Sequence, residues 1–148
     1  MNYYADGGMA MPAQSQELPP SQIITDDLER KATLEEVQQT IEYFDKANNE
    51  GKLFILQENN TIVVLVSIGD AIAEAHLYSI DTPIVMARSM KIMLDELKRS
   101  HIKRIYSNVD EDTPKIVALM QRFGTDIQES DNPRYVWMAD VGEGVNYG

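Results

Sequence analysis

Three consecutive segments with the side-chain pattern of β-strands constrain the fold of this chain more than any other feature. They are "KLFILQE" (52–58), "TIVVLVSI" (61–68) and "AIAEAHLYS" (71–79), and all are rich in β-branched and aliphatic residues. Asn59-Asn60 and Gly69-Asp70 stand between them, and these residue types favour tight turns. The sequence therefore predicts a three-stranded antiparallel meander.

Helical patterns surround the meander. Thr33 and Glu36 form a capping-box pattern ahead of an amphipathic helix that Gly51 ends. Residues 83–99 predict a second helix, with Pro83 in its first turn and Thr82 or Asp81 as its cap. The apolar face of this second helix consists of Met86, Met90, Met93, Leu94 and Leu97.

The rest of the chain adds "HIKRIYSNV" as a strand, "DTPKIVALMQRFG" as a short helix, and "TDIQES" and "RYVWMAD" as a closing hairpin. The order is α-β-β-β-α-β-α-β-β. Strands joined through the helix at 83–99 are expected to be parallel neighbours, and the hairpin-linked strands antiparallel. The predicted fold class is α/β (α+β), a mixed, mostly antiparallel sheet with flanking helices.

The 148 residues suit one domain, which we place at 25–140. Residues 1–24 mix Gly, Pro, Gln, Ser and Met without periodicity and include Pro19-Pro20, which favours an extended N-terminal arm. If this arm docks on a protein partner, Tyr3, Tyr4, Met9 and Met11 are its apolar anchors. Residues 141–148, "VGEGVNYG", are expected to be a flexible tail.

Charge and composition exclude several classes of function. The formal net charge of −11 disfavours direct binding of nucleic acid, which requires clustered basic residues. Absence of cysteine and only two, distant histidines argue against a metal site. No signal peptide and no apolar run of about 18 residues is visible, so we expect no membrane insertion or secretion, and a cytoplasmic or virion location.

From "AIAEAHLYS" to "RYVWMAD" the chain resembles the Gcn5-related N-acetyltransferase (GNAT) superfamily in the order and spacing of its elements. The resemblance implies acetyl-CoA as the acyl donor, which in that family binds where the fourth strand splays from its parallel neighbour; from the sequence, whether this chain keeps such a cleft stays open. In that family the diphosphate lies against a glycine-rich turn into the long helix. Here the matching stretch is "IDTPIVMAR" (80–88).

This turn opposes phosphate binding in three ways. It has no glycine for close approach, Pro83 has no N–H to donate, and Asp81 adds a carboxylate. The tyrosine that many family members carry in the following helix is replaced by Met120, which cannot transfer a proton. We therefore expect no cofactor; if the protein is active, the amides around Ile84, Val85 and Met86 would hold the diphosphate.

Glu74 and His76 lie two residues apart on one strand and so share one face. If the protein is an enzyme, either can be the general base that deprotonates an amine, because carboxylates and imidazoles both accept protons. If it is not, they form the polar face of a strand that meets solvent or a partner.

The leading interpretation from sequence is a non-catalytic, acetyltransferase-like interaction or assembly module. It resembles small virion-associated proteins of short-tailed bacteriophages and would contact an oligomeric protein through its arm. The alternative is a divergent acyl-CoA-dependent N-acetyltransferase. A third hypothesis is an acidic inhibitor of a nucleic-acid-binding protein.

Overall fold

A computed structural model describes residues 17–108 and 113–141 of the chain. Four helices and six strands lie within these two ranges. The helices are α1 (Pro20–Glu29), α2 (Leu34–Asn49), α3 (Pro83–Arg99) and α4 (Thr113–Arg122). The strands are β1 (Leu53–Glu58), β2 (Thr61–Gly69), β3 (Ile72–Ser79), β4 (Arg104–Ser107), β5 (Asp126–Glu129) and β6 (Trp137–Asp140).

The six strands form one sheet in the order β1-β2-β3-β4-β6-β5. Strands β3 and β4 are parallel and are connected through α3, whereas the other four neighbouring pairs are antiparallel. The predicted meander, crossover helix and closing hairpin are therefore confirmed, as is the mixed, mostly antiparallel sheet. Within the described ranges, no helix is both long enough and apolar enough to span a membrane.

Local signals in the sequence explain the turns and helix ends. The amide of Glu36 donates to the hydroxyl of Thr33 at 3.2 Å, and the Glu36 carboxylate accepts from the Thr33 amide at 3.1 Å, so the capping box is confirmed. Asn59 has a φ of 54° in the β1–β2 turn, and Gly51 has a φ of 73° after α2. Asparagine and glycine adopt this left-handed conformation at low cost.

Each face of the sheet carries its own apolar core. On one face α3 and α4 cover a cluster whose buried members include Leu65, Ala75, Met90, Leu97, Ile105 and Trp137. On the other face α1 and α2 cover a cluster whose buried members include Ile23, Ile24, Phe44, Ile62, Val64 and Tyr78. Because side chains alternate along a strand, neighbouring residues of β3 serve different cores.

Helix α1 corrects the predicted boundary of the N-terminal arm. Residues 20–24 were expected to be extended, but Pro20 begins a helix whose Ile23 and Ile24 are fully buried. Proline suits the first helical position because it has no N–H that needs a partner there, and burial of the two isoleucines stabilises the helix. The remainder of the predicted arm, residues 1–16, lies outside the described residues.

The C-terminal boundary also differs from the prediction. Val141 was assigned to a flexible tail, but it is 1% exposed and its amide donates to the carbonyl oxygen of Lys103 at 2.8 Å. The domain therefore includes Val141, while residues 142–148 lie outside the described residues.

Strand β6 begins only at Trp137, after a turn in which the Tyr135 amide donates to the carbonyl oxygen of Asn132.

Candidate functional site

A cleft opens where strands β3 and β4 separate. Their parallel pairing runs from Ile72↔Arg104 to Glu74↔Tyr106, but β3 continues as a strand to Ser79. The hydroxyl of Ser107 donates to the carbonyl oxygen of Ala75 at 3.0 Å and bridges the strands just beyond the last pair. The strand order and the crossover agree with the order that the sequence predicts, and the separation of β3 from β4 leaves a cleft, a point on which the sequence was silent.

A cavity of about 430 Å³ fills the cleft and extends under α3. This volume lies within the range of small-molecule sites. Its wall is mostly apolar and includes Leu77, Ile105, Met120 and the apolar face predicted for α3, consisting of Met86, Met90, Met93, Leu94 and Leu97. Polar and charged side chains join this wall, among them His76, Ser107, Asn108, Arg30, Lys31 and Lys115.

Glu74 and His76 share one face of β3, as the sequence predicts, and they contact each other directly. The Nε2 atom of His76 lies 3.0 Å from Oε1 of Glu74. Glu74 is only 5% exposed, whereas the His76 side chain is about one-third exposed and borders the cavity. Phe44 on α2 packs edge-on against the imidazole, with ring centroids 5.2 Å apart.

Two tyrosines complete the surroundings of Glu74. The hydroxyl of Tyr43 on α2 donates to Oε1 of Glu74, and that of Tyr135 donates to Oε2 at 2.5 Å. Sequence reasoning missed both residues. The helical pattern of α2 gives Tyr43 no role, and the sequence places Tyr135 in the strand that carries Trp137, whereas in the structure it lies in the turn before β6 and reaches Glu74.

These contacts fix the ionisation of Glu74. Burial raises the pKa of its carboxyl, but the hydrogen bonds from His76, Tyr135 and Tyr43 outweigh burial and lower the pKa to about 2. Burial and the contact with Glu74 raise the pKa of Tyr135 to about 12, and the pKa of Tyr43 is raised by the same two causes. Glu74 is therefore ionised and keeps the hydroxyl groups of Tyr43 and Tyr135 protonated. A carboxylate with so low a pKa is a weak proton acceptor and a poor general base.

The ionised carboxylate also selects the tautomer of His76. A carboxylate can only accept hydrogen bonds, so Nε2 of His76 must carry the proton that it shares with Oε1 of Glu74. A neutral imidazole then has its lone pair on Nδ1. Of the two predicted candidates for a general base, only His76 keeps a ring nitrogen with a free lone pair in this arrangement, and the catalytic role itself stays a prediction.

The turn into α3 keeps Asp81 and Pro83, which oppose binding of a phosphate, but the predicted helix cap is wrong. Neither Asp81 nor Thr82 caps the helix through its side chain. Instead, the Asp81 carboxylate accepts hydrogen bonds from the amide of Asn60 at 2.9 Å and the hydroxyl of Thr61 at 2.8 Å. Asp81 still borders the cavity, together with Pro83.

The backbone amides of Ile84, Val85 and Met86, which were predicted to hold a diphosphate in an active protein, differ in whether they are free to bind an anion. The Met86 amide donates to the carbonyl oxygen of Thr82 at 2.8 Å and so belongs to the helix. Ile84 and Val85 precede this first helical bond, and Pro83 has no N–H. At most two amides of this turn can face an anion, fewer than an unmodified helix start offers.

Helix α1 forms one end of the cleft by binding the free edge of β3. The amide of Ser79 donates to Oδ2 of Asp27 at 3.1 Å, and the Ser79 carbonyl oxygen accepts from Nη2 of Arg30 at 2.8 Å. Ala75 and Ser79 thus turn backbone groups toward β4. Because these groups alternate along a strand, the N–H and C=O of Leu77 lie on the same edge, facing the cleft.

Three further predictions concern Met120, a metal site and the N-terminal arm. Met120 is buried in the cavity wall, where it cannot transfer a proton. Among the described residues, no three His, Asp or Glu side chains converge as metal ligands would. The proposed arm anchors Tyr3, Tyr4, Met9 and Met11 lie outside the described residues, so their role stays a prediction.

Comparison with known proteins finds similarity in structure rather than in sequence. No protein-family model and no curated protein sequence matches the chain. It is similar to RimL, a ribosomal L7/L12 alpha-N-protein acetyltransferase in complex with coenzyme A, at 12% identity over 80% of this chain and 82% of that chain, with a TM-score of 0.48. It is also similar to an N-acetyltransferase from Staphylococcus aureus Mu50, at 12% identity over 80% and 87% of the two chains and a TM-score of 0.48. A chimera of the Vibrio cholerae spermidine N-acetyltransferase SpeG and hSSAT gives 16% identity over 83% and 91%, with a TM-score of 0.47. Likenesses of this size concern the course of the chain, and no activity follows from them.

Proposed function

We propose that the protein is a divergent N-acyltransferase that transfers an acyl group from a thioester to an amine in the cleft between β3 and β4. The observation that carries this proposal is the pair formed by His76 at the cavity wall and the buried, ionised Glu74, 3.0 Å apart. A base oriented by a carboxylate is a recurrent arrangement in acyl transfer.

The proposed reaction needs one proton acceptor. The amine nitrogen attacks the carbonyl carbon of the thioester, a C–N bond forms, and Nδ1 of His76 takes the proton that the nitrogen loses. The C–S bond then breaks, and the thiolate leaves with its electron pair. Glu74 stabilises the imidazolium that His76 becomes, because the carboxylate stays ionised beside it.

The cavity favours the thioester arm of a donor over its phosphates. The apolar wall and the backbone edge at Leu77 suit an acylated chain that contains amides. The turn at Asp81–Pro83 offers little to a diphosphate, and the cations that border the cavity include the side chains of Arg30 and Lys31. We therefore propose that a donor without a diphosphate binds almost as well as acetyl-CoA.

Thiol release from acetyl-CoA and from S-acetylpantetheine, measured with a panel of primary amines, tests this proposal. We expect His76→Gln to lower kcat/KM by about 100-fold or more, as loss of a general base does. His101→Gln is the matched control, because His101 is exposed and outside the cavity wall. Absence of amine-dependent thiol release from both donors would contradict the proposed reaction.

Calorimetry tests which acyl donor binds, independently of whether the reaction takes place. We expect acetyl-CoA and S-acetylpantetheine to bind with affinities within about tenfold of each other, because the turn into α3 offers few amides to a phosphate. Binding of acetyl-CoA more than about 100-fold tighter would show that the diphosphate is anchored, and the preference for a truncated donor would then be wrong.

A non-catalytic interaction module is the second candidate. It is favoured by the glycine-free turn at 80–88 and by Asp27 and Arg30, which occupy the edge of β3 where a ligand would pair. In this case neither donor binds, and attachment to an oligomeric protein, such as a virion component, depends on the N-terminal arm. Deletion of residues 1–16 tests the arm without cutting α1.

A further inference from the structure

The two edges of the sheet differ in how well they are protected from pairing with another chain. Strand β5, at one edge, has four residues and carries Asp126 and Glu129. Strand β1, at the other edge, has six residues that begin Leu-Phe-Ile-Leu, without proline, and its register with β2 is regular. Charges, shortness and irregularity are the usual protection of an edge strand, and β1 lacks them over most of its length.

The pairing of β1 with β2 shows which backbone groups face outward. The carbonyl oxygen of Lys52 accepts a hydrogen bond from the Ser67 amide, so it points toward β2. Backbone groups alternate along a strand, so the N–H and C=O groups of Leu53, Ile55 and Gln57 point away from β2. This outer row is the one that a further strand would bond.

We propose that β1 pairs with β1 of a second copy of this chain, antiparallel and centred on Ile55, and so joins the two sheets into one. A two-fold axis at Ile55 places Leu53 opposite Gln57 of the second copy, and Ile55 opposite its own equivalent. These positions carry the outward backbone groups, so the pairs Leu53–Gln57 and Ile55–Ile55 can exchange hydrogen bonds.

The same register makes the side chains complementary. It places Lys52 opposite Glu58 of the second copy and Phe54 opposite its Leu56. These are the pairs without backbone bonds, whose side chains approach most closely. Phe54 is 43% exposed in the single chain and would gain an apolar neighbour.

The electrostatic surroundings of Glu58 agree with this pairing. Burial and the nearby carboxylates of Glu96 and Glu17 raise the pKa of Glu58, so its charge is destabilised in the single chain. Lys52 lies near Glu50 at 3.6 Å, with both side chains about half exposed, and such exposed pairs are weak. A lysine brought opposite Glu58 would therefore stabilise the carboxylate.

Charge exchange tests the register directly. Sedimentation equilibrium of the full chain is expected to show a rise from 16.7 kDa toward twice this mass as concentration increases from about 1 μM, since one strand pair is a small interface. Lys52→Glu and Glu58→Lys each place like charges opposite each other, so each is expected to weaken the dimer at least tenfold. The double variant restores opposite charges and is expected to recover the native affinity.

Lys91→Glu is the control, because it makes the same change of charge on an exposed part of α3; it is expected to leave the dimer unchanged. A full chain that stays monomeric at millimolar concentration would overturn the proposal. A dimer that tolerates both single exchanges, or that the double exchange does not restore, would also overturn it, because another surface would then hold the two copies.

Discussion

The carboxylate of Asp27 on α1 accepts a hydrogen bond from the backbone amide of Ser79, 52 residues later in the chain, at 3.1 Å. Arg30, the residue that follows α1, contacts Asp27 at 2.5 Å and donates to the carbonyl oxygen of the same serine. Together the two side chains bond to the end of β3 as a neighbouring strand would. Helix α1 is therefore part of the cleft and holds the separated strand in place.

Replacement of Asp27 tests this connection. Asp27 is 6% exposed, so Asp27→Ala leaves the Ser79 amide without its acceptor in a buried position. We expect the free energy of unfolding in urea to fall by about 2–3 kcal/mol. Glu29→Ala on the exposed side of the same helix is expected to change it by less than about 0.5 kcal/mol. Equal effects of the two changes would mean that the contact contributes nothing.

The low pKa of Glu74 predicts a pH-dependent contribution to stability. Its pKa of about 2 in the folded chain lies below the ordinary value of 4.5. A carboxyl of this kind stabilises the fold above its unfolded pKa, and the contribution is lost as pH falls toward the folded pKa. The difference in unfolding free energy between the native chain and Glu74→Gln is expected to shrink by about 2 kcal/mol between about pH 5.5 and pH 2.5. A difference that stays constant over this range would contradict the assigned pKa.

Two tyrosine-to-phenylalanine changes separate a buried contact from an exposed one. Tyr135→Phe removes a donor from the buried Glu74, whereas Tyr106→Phe removes a donor from Asp131, which is largely exposed and can bond water instead. We expect unfolding free energy to fall by about 1.5–3 kcal/mol for Tyr135→Phe and by less than about 1 kcal/mol for Tyr106→Phe. The reverse order would show that Tyr135 does not support the carboxylate.

The elements with strong local signals were predictable from the sequence. The capping box at Thr33, the turn at Asn59 and the apolar face of α3 depend on residues that are close together in the chain, and each was confirmed. The parallel pairing of β3 and β4 was also predictable, because parallel neighbours in a sheet are usually joined by a crossover through an α-helix.

The features that could not be predicted from the sequence depend on contacts between residues that are distant in the chain. The Pro19-Pro20 pair favours an extended chain locally, and only burial of Ile23 and Ile24 under the sheet makes Pro20 the start of α1. The residues around Glu74 come from α2, β3 and the turn before β6. No spacing in the sequence brings Tyr43 and Tyr135 to one carboxylate, so half of the candidate site was not predictable.

The cleft itself predicts different tolerance at two alanines on the same face of β3. Ala75 borders the cavity, whereas Ala73 is buried opposite Ile105 without bordering it. In Ala75→Met the longer side chain can extend into the cavity, so we expect the unfolding free energy to change by less than about 1 kcal/mol. Ala73→Met forces a larger side chain into a packed layer and is expected to lower the unfolding free energy by about 1–3 kcal/mol. In calorimetry the methionine at position 75 is expected to weaken binding of S-acetylpantetheine, because it occupies the space proposed for the thioester. If both changes destabilise the chain equally, β3 and β4 enclose no cavity beyond Glu74.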